Sequence, residues 1–193
     1  MRVTAVALAS LALVIAVAAC GTATPVASFD PASACDTDGR FPGAYPELEA
    51  LLPTAFEGKA PDTVDSGRSC TDAALGTLAG AGVDALRVAG ATWELGGTSG
   101  VTVAVFEGDG LDAAKLLTFY EDGARTARRT EKLQVSETTV GGTDAKRLDV
   151  LGSDGTGQTI VTWPADEPGR VNVLLAADVG DARVAEALEA LGG

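Results

Sequence analysis

The residues able to do chemistry in this chain are few. Among 193 residues there is no histidine, and the only cysteines are Cys20, Cys35 and Cys70. Without histidine the commonest general base, metal ligand and pH switch is missing. Ser-His-Asp and Cys-His hydrolysis are excluded, as are histidine-containing zinc sites. The cysteines show no CxxC spacing, and no imidazole can activate a thiolate. Carboxylates remain, with 27 Asp+Glu against 14 Lys+Arg. Two facing carboxylates could cleave a glycoside without histidine. Here the acids are scattered over loops and polar faces, and nothing in their spacing picks out a pair.

Other motifs fail on spacing. Gly58-Lys59 lacks the upstream glycine of a phosphate loop, no GxGxxG follows a strand, and no serine sits in GxSxG. Asp36-Thr37-Asp38-Gly39 resembles the start of a calcium loop but lacks the third ligand and the closing glutamate, so it reads as a turn after Cys35. Arg125, Arg128, Arg129 and Lys132 form the one basic cluster, expected to decorate a helix C-terminus and complement its dipole. Trp93 and Trp163 fall in strand-like runs and are expected to fill the core. No cofactor or metal site is read. The net charge of −13 argues against nucleic acid, whose phosphates need clustered cations.

The first residues, MRVTAVALASLALVIAVAA, place Arg2 before an apolar run broken only by Ser10. The run is shorter than the roughly 20 residues of a spanning helix. Val17-Ala18-Ala19 precede Cys20, and Gly21 follows. This pattern resembles the lipobox of bacterial lipoproteins. The resemblance implies that residues 1–19 are a signal peptide and that Cys20 is lipidated, palmitate included, becoming the new N-terminus on the extracytoplasmic face of the cell membrane. Loss of Arg2 takes the charge from −13 to −14. Anionic headgroups repel such a surface, so the membrane partner is reached through the lipid.

Residues 20–34 are then the lipidated cysteine and a flexible tether, and residues 35–193 a single domain. With Cys20 spent on the anchor, Cys35 and Cys70 are left, which in an exported chain read as one disulfide. Closing that loop constrains the unfolded chain by about 3–4 kcal/mol.

The domain must supply the elements that hold these residues. Pro46–Leu52 reads as a short helix, and Ala60–Ser69 as extended chain. Thr71 and Asp72 cap a helix ending at Gly80 and Gly82, and strands follow at Asp84–Leu95 and Val101–Glu107. The clearest helix opens at Asp109 or Gly110 and runs to about Arg129, with Ala113, Leu116, Leu117, Tyr120, Ala124 and Ala127 on one stripe. Strands Val135–Val140, Ala145–Leu151, Gln158–Trp163 and Arg170–Ala176 precede a last helix capped by Asp178, Gly180 or Asp181. Short turns join most strands, so the expected class is α+β, a mainly antiparallel sheet with helices packed on one face. Strand, turn, strand, cap and helix recur at 87–129 and 158–191 as a weak pseudo-repeat.

Glu47-Leu48-Glu49-Ala50-Leu51-Leu52-Pro53, Thr139-Val140-Gly141-Gly142-Thr143 and Val184-Ala185-Glu186-Ala187-Leu188 resemble uncharacterised small exported lipoprotein domains of bacteria with GC-rich genomes. The resemblance supplies no activity and no functional residues, and leans against catalysis. The expected role is a non-catalytic, lipid-anchored module that binds an envelope protein or small ligand. The alternatives are a histidine-free carboxylate enzyme and a carrier holding a lipid between sheet and helices.

Overall fold

The computed structural model describes residues 29–191. Residues 1–19, Cys20 and the first part of the tether lie outside the described residues. The strands are β1 (Gly39–Phe41), β2 (Thr63–Ser69), β3 (Leu86–Gly96), β4 (Ser99–Glu107), β5 (Thr130–Val140), β6 (Thr143–Gly152), β7 (Gly157–Pro164) and β8 (Arg170–Ala177). The helices are α1 (Pro46–Glu49), α2 (Asp72–Leu75), α3 (Thr77–Gly80), α4 (Ala113–Thr126) and α5 (Asp181–Leu191). No described helix is long and apolar enough to cross a membrane.

All eight strands join one sheet, in the order β1-β2-β3-β4-β8-β7-β6-β5, and every pairing is antiparallel. The chain builds one meander from β1 to β4, and α4 carries it to the far edge. A second meander from β5 then returns until β8 pairs with β4. At that seam Val103 opposes Leu174 and Ala104 opposes Val173, all four buried.

The expectation of helices on one face is corrected: they cover both. Adjacent residues of a strand point to opposite faces, and the central strands are apolar on both. On one face Val101, Val103, Val161 and Leu174 pack with Leu48 of α1 and with Val184 and Ala187 of α5. On the other, Val88, Ala104, Ile160 and Val173 pack with Leu75, Leu78, Leu116 and Leu117 of α2, α3 and α4. A sheet apolar on both sides needs two covers, whereas one polar face would have needed one. The pseudo-repeat also fails at its helices. β3-β4 and β7-β8 correspond about the seam, but α4 and α5 lie on opposite faces.

Local chemistry moved several boundaries. Gly76 adopts φ +53 and breaks the expected Thr71-capped helix into α2 and α3, while the Thr71 hydroxyl does accept the Ala74 amide. Helix α4 starts later than expected because the Asp112 carboxylate takes the Lys115 amide. It stops at Thr126, and β5 begins at Thr130. The basic cluster is therefore not one helix end. Arg125 pairs with Glu121 in the last turn of α4, while Arg129 reaches Asp154 at 3.3 Å. Trp93 and Trp163 are buried as expected, and the Trp93 indole donates to the Lys59 carbonyl at 2.9 Å.

The folded part begins ahead of residue 35. Phe29 is buried against Phe41 at 5.1 Å and Tyr45 at 6.1 Å, under the Arg68 guanidinium 4.5 Å from its ring. Arg68 is only 4 % exposed and donates to the carbonyls of Asp30, Ser33 and Thr37. Cys35 and Cys70 form the expected disulfide, with Cα atoms 5.2 Å apart. Beside it Asp38 accepts the amides of Cys70 and Thr71 at 2.6 and 3.0 Å and the Thr71 hydroxyl at 2.6 Å. Burial opposes ionisation of Asp38, but these donors prevail and hold its carboxyl below the usual range. The Asp36–Gly39 turn thus serves to seat the bridge. Among the described residues no group of three or more acids and cysteines could hold a metal.

Candidate functional site

The core accounts for nearly every apolar side chain, so a functional surface must be sought where a sheet face stays polar. That place is the β5–β6–β7 end, on the α1/α5 side. Gln134 and Ser136 of β5, Arg147 and Asp149 of β6, and Thr159 of β7 share this face. Cross-strand pairing sets them in rows, with Gln134 opposite Asp149 and Asp149 opposite Thr159, and with Ser136 opposite Arg147.

Arg147 and Asp149 stand two residues apart on one strand, hence on one side. The Arg147 Nε donates to both Asp149 oxygens at 2.8 and 3.0 Å, and its Nη2 to Oδ1 at 2.8 Å. The same Nη2 reaches Asp181, the first residue of α5, at 2.5 Å. Thr159 adds its hydroxyl to Asp149 at 2.7 Å. Burial works to raise the Asp149 pKa, but the guanidinium and the hydroxyl outweigh it and hold the carboxyl below its ordinary range. Arg147, hydrogen-bonded to Asp149 and then to Asp181 against partial burial, is pushed further toward its cationic form. The bridge fixes the start of α5 over β6.

Two open grooves flank it. One, of about 260 Å³, lies toward Lys132, Gln134, Gln158 and Val179. The other, of about 350 Å³, lies between the β5–β6 turn and α5, lined by Thr138, Val140, Arg147, Ala185 and Leu188. Asp149 lines the first and Arg147 the second, so the bridge stands between them. Such clefts can seat a side chain or a short polar segment, and neither encloses a small molecule as a deep pocket does.

Asp178 holds the end of β8 beside them. Its backbone is left-handed at φ +48, in a region short polar residues tolerate. Its carboxylate accepts the Gly157 amide at 2.8 Å and the Thr98 hydroxyl at 2.5 Å, which ties the two meanders together at this corner. The expected helix cap falls on Gly180, whose carbonyl takes the amides of Arg183 and Val184.

Of the residues expected from sequence, Cys35 and Cys70 lie at the β1–β2 end, on the far side of the sheet from the polar face, and Cys20 is outside the described residues. Arg147, Asp149 and Thr159 carry no expectation from sequence, and Asp181 carries only that of a helix cap. The signal was present in Arg147-Leu148-Asp149, where strand alternation buries Leu148 and sets the two charges together on the opposite face. No protein-family model matches the chain, and comparison with curated proteins and with solved structures gives no match.

Proposed function

We propose that the chain is a lipid-anchored module on the extracytoplasmic face of the membrane, one that binds a partner at the envelope without catalysis. The observation that carries this reading is the packing of Phe29 under Arg68, beside the Cys35–Cys70 bridge. A disulfide suits an oxidising compartment. The packed Phe29 fastens the chain nine residues after Cys20, so an anchor there would pull on a rigid edge. Only residues 21–28 then remain as a tether, about 26–29 Å when extended. The longer tether expected from sequence, to residue 34, is shortened by the packed segment Phe29–Ala34.

The polar face favours binding over the two alternatives. A carboxylate pair for hydrolysis needs one acid held protonated near neutrality. At Asp149 the shift runs the other way, and Arg147 pairs with both Asp149 and Asp181. A lipid carrier needs an enclosed apolar cavity, whereas the two grooves are open and partly polar. Cys20→Ala tests the reading by fractionation of cells. The expected outcome is unprocessed precursor or release of the chain from the membrane. An unchanged, fully membrane-bound mature form would refute it.

A further inference from the structure

The two edges of the sheet differ. β1 is three residues long and Pro42 follows it, which blunts that edge in a familiar way. β5 is eleven residues long, contains no proline, and among the described residues no strand pairs its outer side. Its direction of hydrogen bonding follows from the hairpin. Gly141 and Gly142 have φ +56 and +84, a two-residue turn with both φ positive, and Val140 pairs with Thr143 across it. The closing pair of such a turn exchanges both hydrogen bonds, and the pattern alternates along the strand. Gln134, Ser136, Thr138 and Val140 therefore turn their amides to β6, and Leu133, Val135, Glu137 and Thr139 turn theirs outward.

The outward-bonding residues carry a pattern of their own. Val135, 43 % exposed, is one of two large apolar side chains standing in solvent among the described residues. Leu133 is half-buried beside it, and Glu137 follows on the same face. Lys146 holds Oε1 of Glu137 at 2.7 Å, while that side chain stays 75 % exposed. We propose that the outer edge of β5 is a strand-addition site for an extended, cationic peptide segment. The segment would place apolar residues beside Leu133 and Val135 and a lysine or arginine beside Glu137. Main-chain bonds would supply affinity, and the alternate side chains selectivity.

A second copy of the chain is the obvious competitor, and the register disfavours it. A two-fold axis normal to the sheet keeps faces, so only residues of one face can oppose each other. Centred on Gln134, Val135 or Ser136, it sets Glu137 opposite Glu131, Leu133 or Val135 in turn. Each register buries or opposes that carboxylate, and each brings two strongly acidic domains together.

The inference deepens the interaction reading and rests on it. Its test uses the full chain in nonionic detergent, titrated with the peptide Lys-Thr-Val-Thr-Val-Thr-Lys, which added antiparallel to β5 sets its valine amides against the outward-bonding residues. Saturable binding with slowed amide exchange at Leu133, Val135 and Glu137 is expected. Exchanging both lysines for glutamate should weaken binding roughly tenfold, since favourable cross-strand pairs become like-charged ones. N-methylation of the two valines should abolish it. Val135→Pro, which removes an outward amide and leaves the β5–β6 ladder whole, should do the same, while Val135→Thr retains binding. Should Val135→Pro not fold, the N-methylated peptide answers the same question. No binding, or binding indifferent to N-methylation, overturns the edge site, and so does a dimer that protects these amides without peptide. None of these results touches the anchor, which stands or falls on Cys20→Ala.

Discussion

At one end of the sheet a three-residue edge strand lies inside the loop that a disulfide closes; at the other, eleven residues run unpaired on their outer side among the described residues. The β1–β4 half is fastened by Phe29, Arg68, Asp38 and the bridge. It is also packed close enough that strands β2 and β3 carry glycine where Arg40 crosses them. A Cβ at Gly67 would strike the Gly39 carbonyl, and one at Gly90 would come within 2.7 Å of the Arg40 guanidinium. The β5–β8 half has no disulfide among its described residues, and one of its faces carries the Arg147 bridge and its grooves. Four strands a side and one seam therefore support two different tasks. In the proposed reading one half is held at the anchor and the other meets the partner.

That contrast can be broken from the fastened side first. Cys35→Ser with Cys70→Ser should cost about 3–4 kcal/mol in urea unfolding, with the loss of exchange protection concentrated over β1 and β2. An equal loss of protection over β5 and β6 would contradict the division. Arg68→Ala should cost about 2 kcal/mol, because it strips a charged donor from three carbonyls and uncovers Phe29. Hydrogen exchange across 29–38 would register it. Arg147→Ala should cost about 1 kcal/mol, since the bridge is partly exposed and screened. Exchange at the first turn of α5 should rise while the 29–38 strap stays protected. Val135→Thr should change stability by no more than about 0.5 kcal/mol, as an exposed edge position.

The pH dependence sharpens the comparison in another way. Asp38 in the fastened half, Asp149 in the open half and Glu107 between them all have lowered pKa values. At Glu107 burial pulls upward, while Arg170 at 2.6 Å and a contact with Arg87 prevail. Near pH 4 the unfolded chain thus binds more protons than the folded one. The stabilisation is present above the unfolded values of about 4 and is lost as pH falls through the lower folded values. Asp38→Asn and Asp149→Asn should each flatten that acid limb in denaturation curves. With no histidine, side-chain titration gives no slope between pH 6 and 8.

Much of this was legible before the fold was seen. Alternation in Val101–Glu107, the Gly141-Gly142 turn and the cysteine count led directly to β4, the β5–β6 hairpin and the disulfide. The two-faced core was not legible from the same alternation. Small residues such as Ala89, Ala91 and Ala104 are buried on either face but read as weakly apolar. The candidate site escaped because Asp149 and Asp181 lie 32 residues apart and meet only through Arg147. Asp112 capped α4 in place of the more conspicuous Asp109-Gly110 because its carboxylate reaches the Lys115 amide at 2.8 Å.

The lipid anchor is tested most directly at the N-terminus of the mature chain. Mass spectrometry of the protein extracted from membranes should show an acylated N-terminal peptide starting at Cys20, residues 1–19 absent, and Cys35 joined to Cys70 in the same molecule. A chain that retains Met1, or one that begins at Cys20 without lipid, would contradict it.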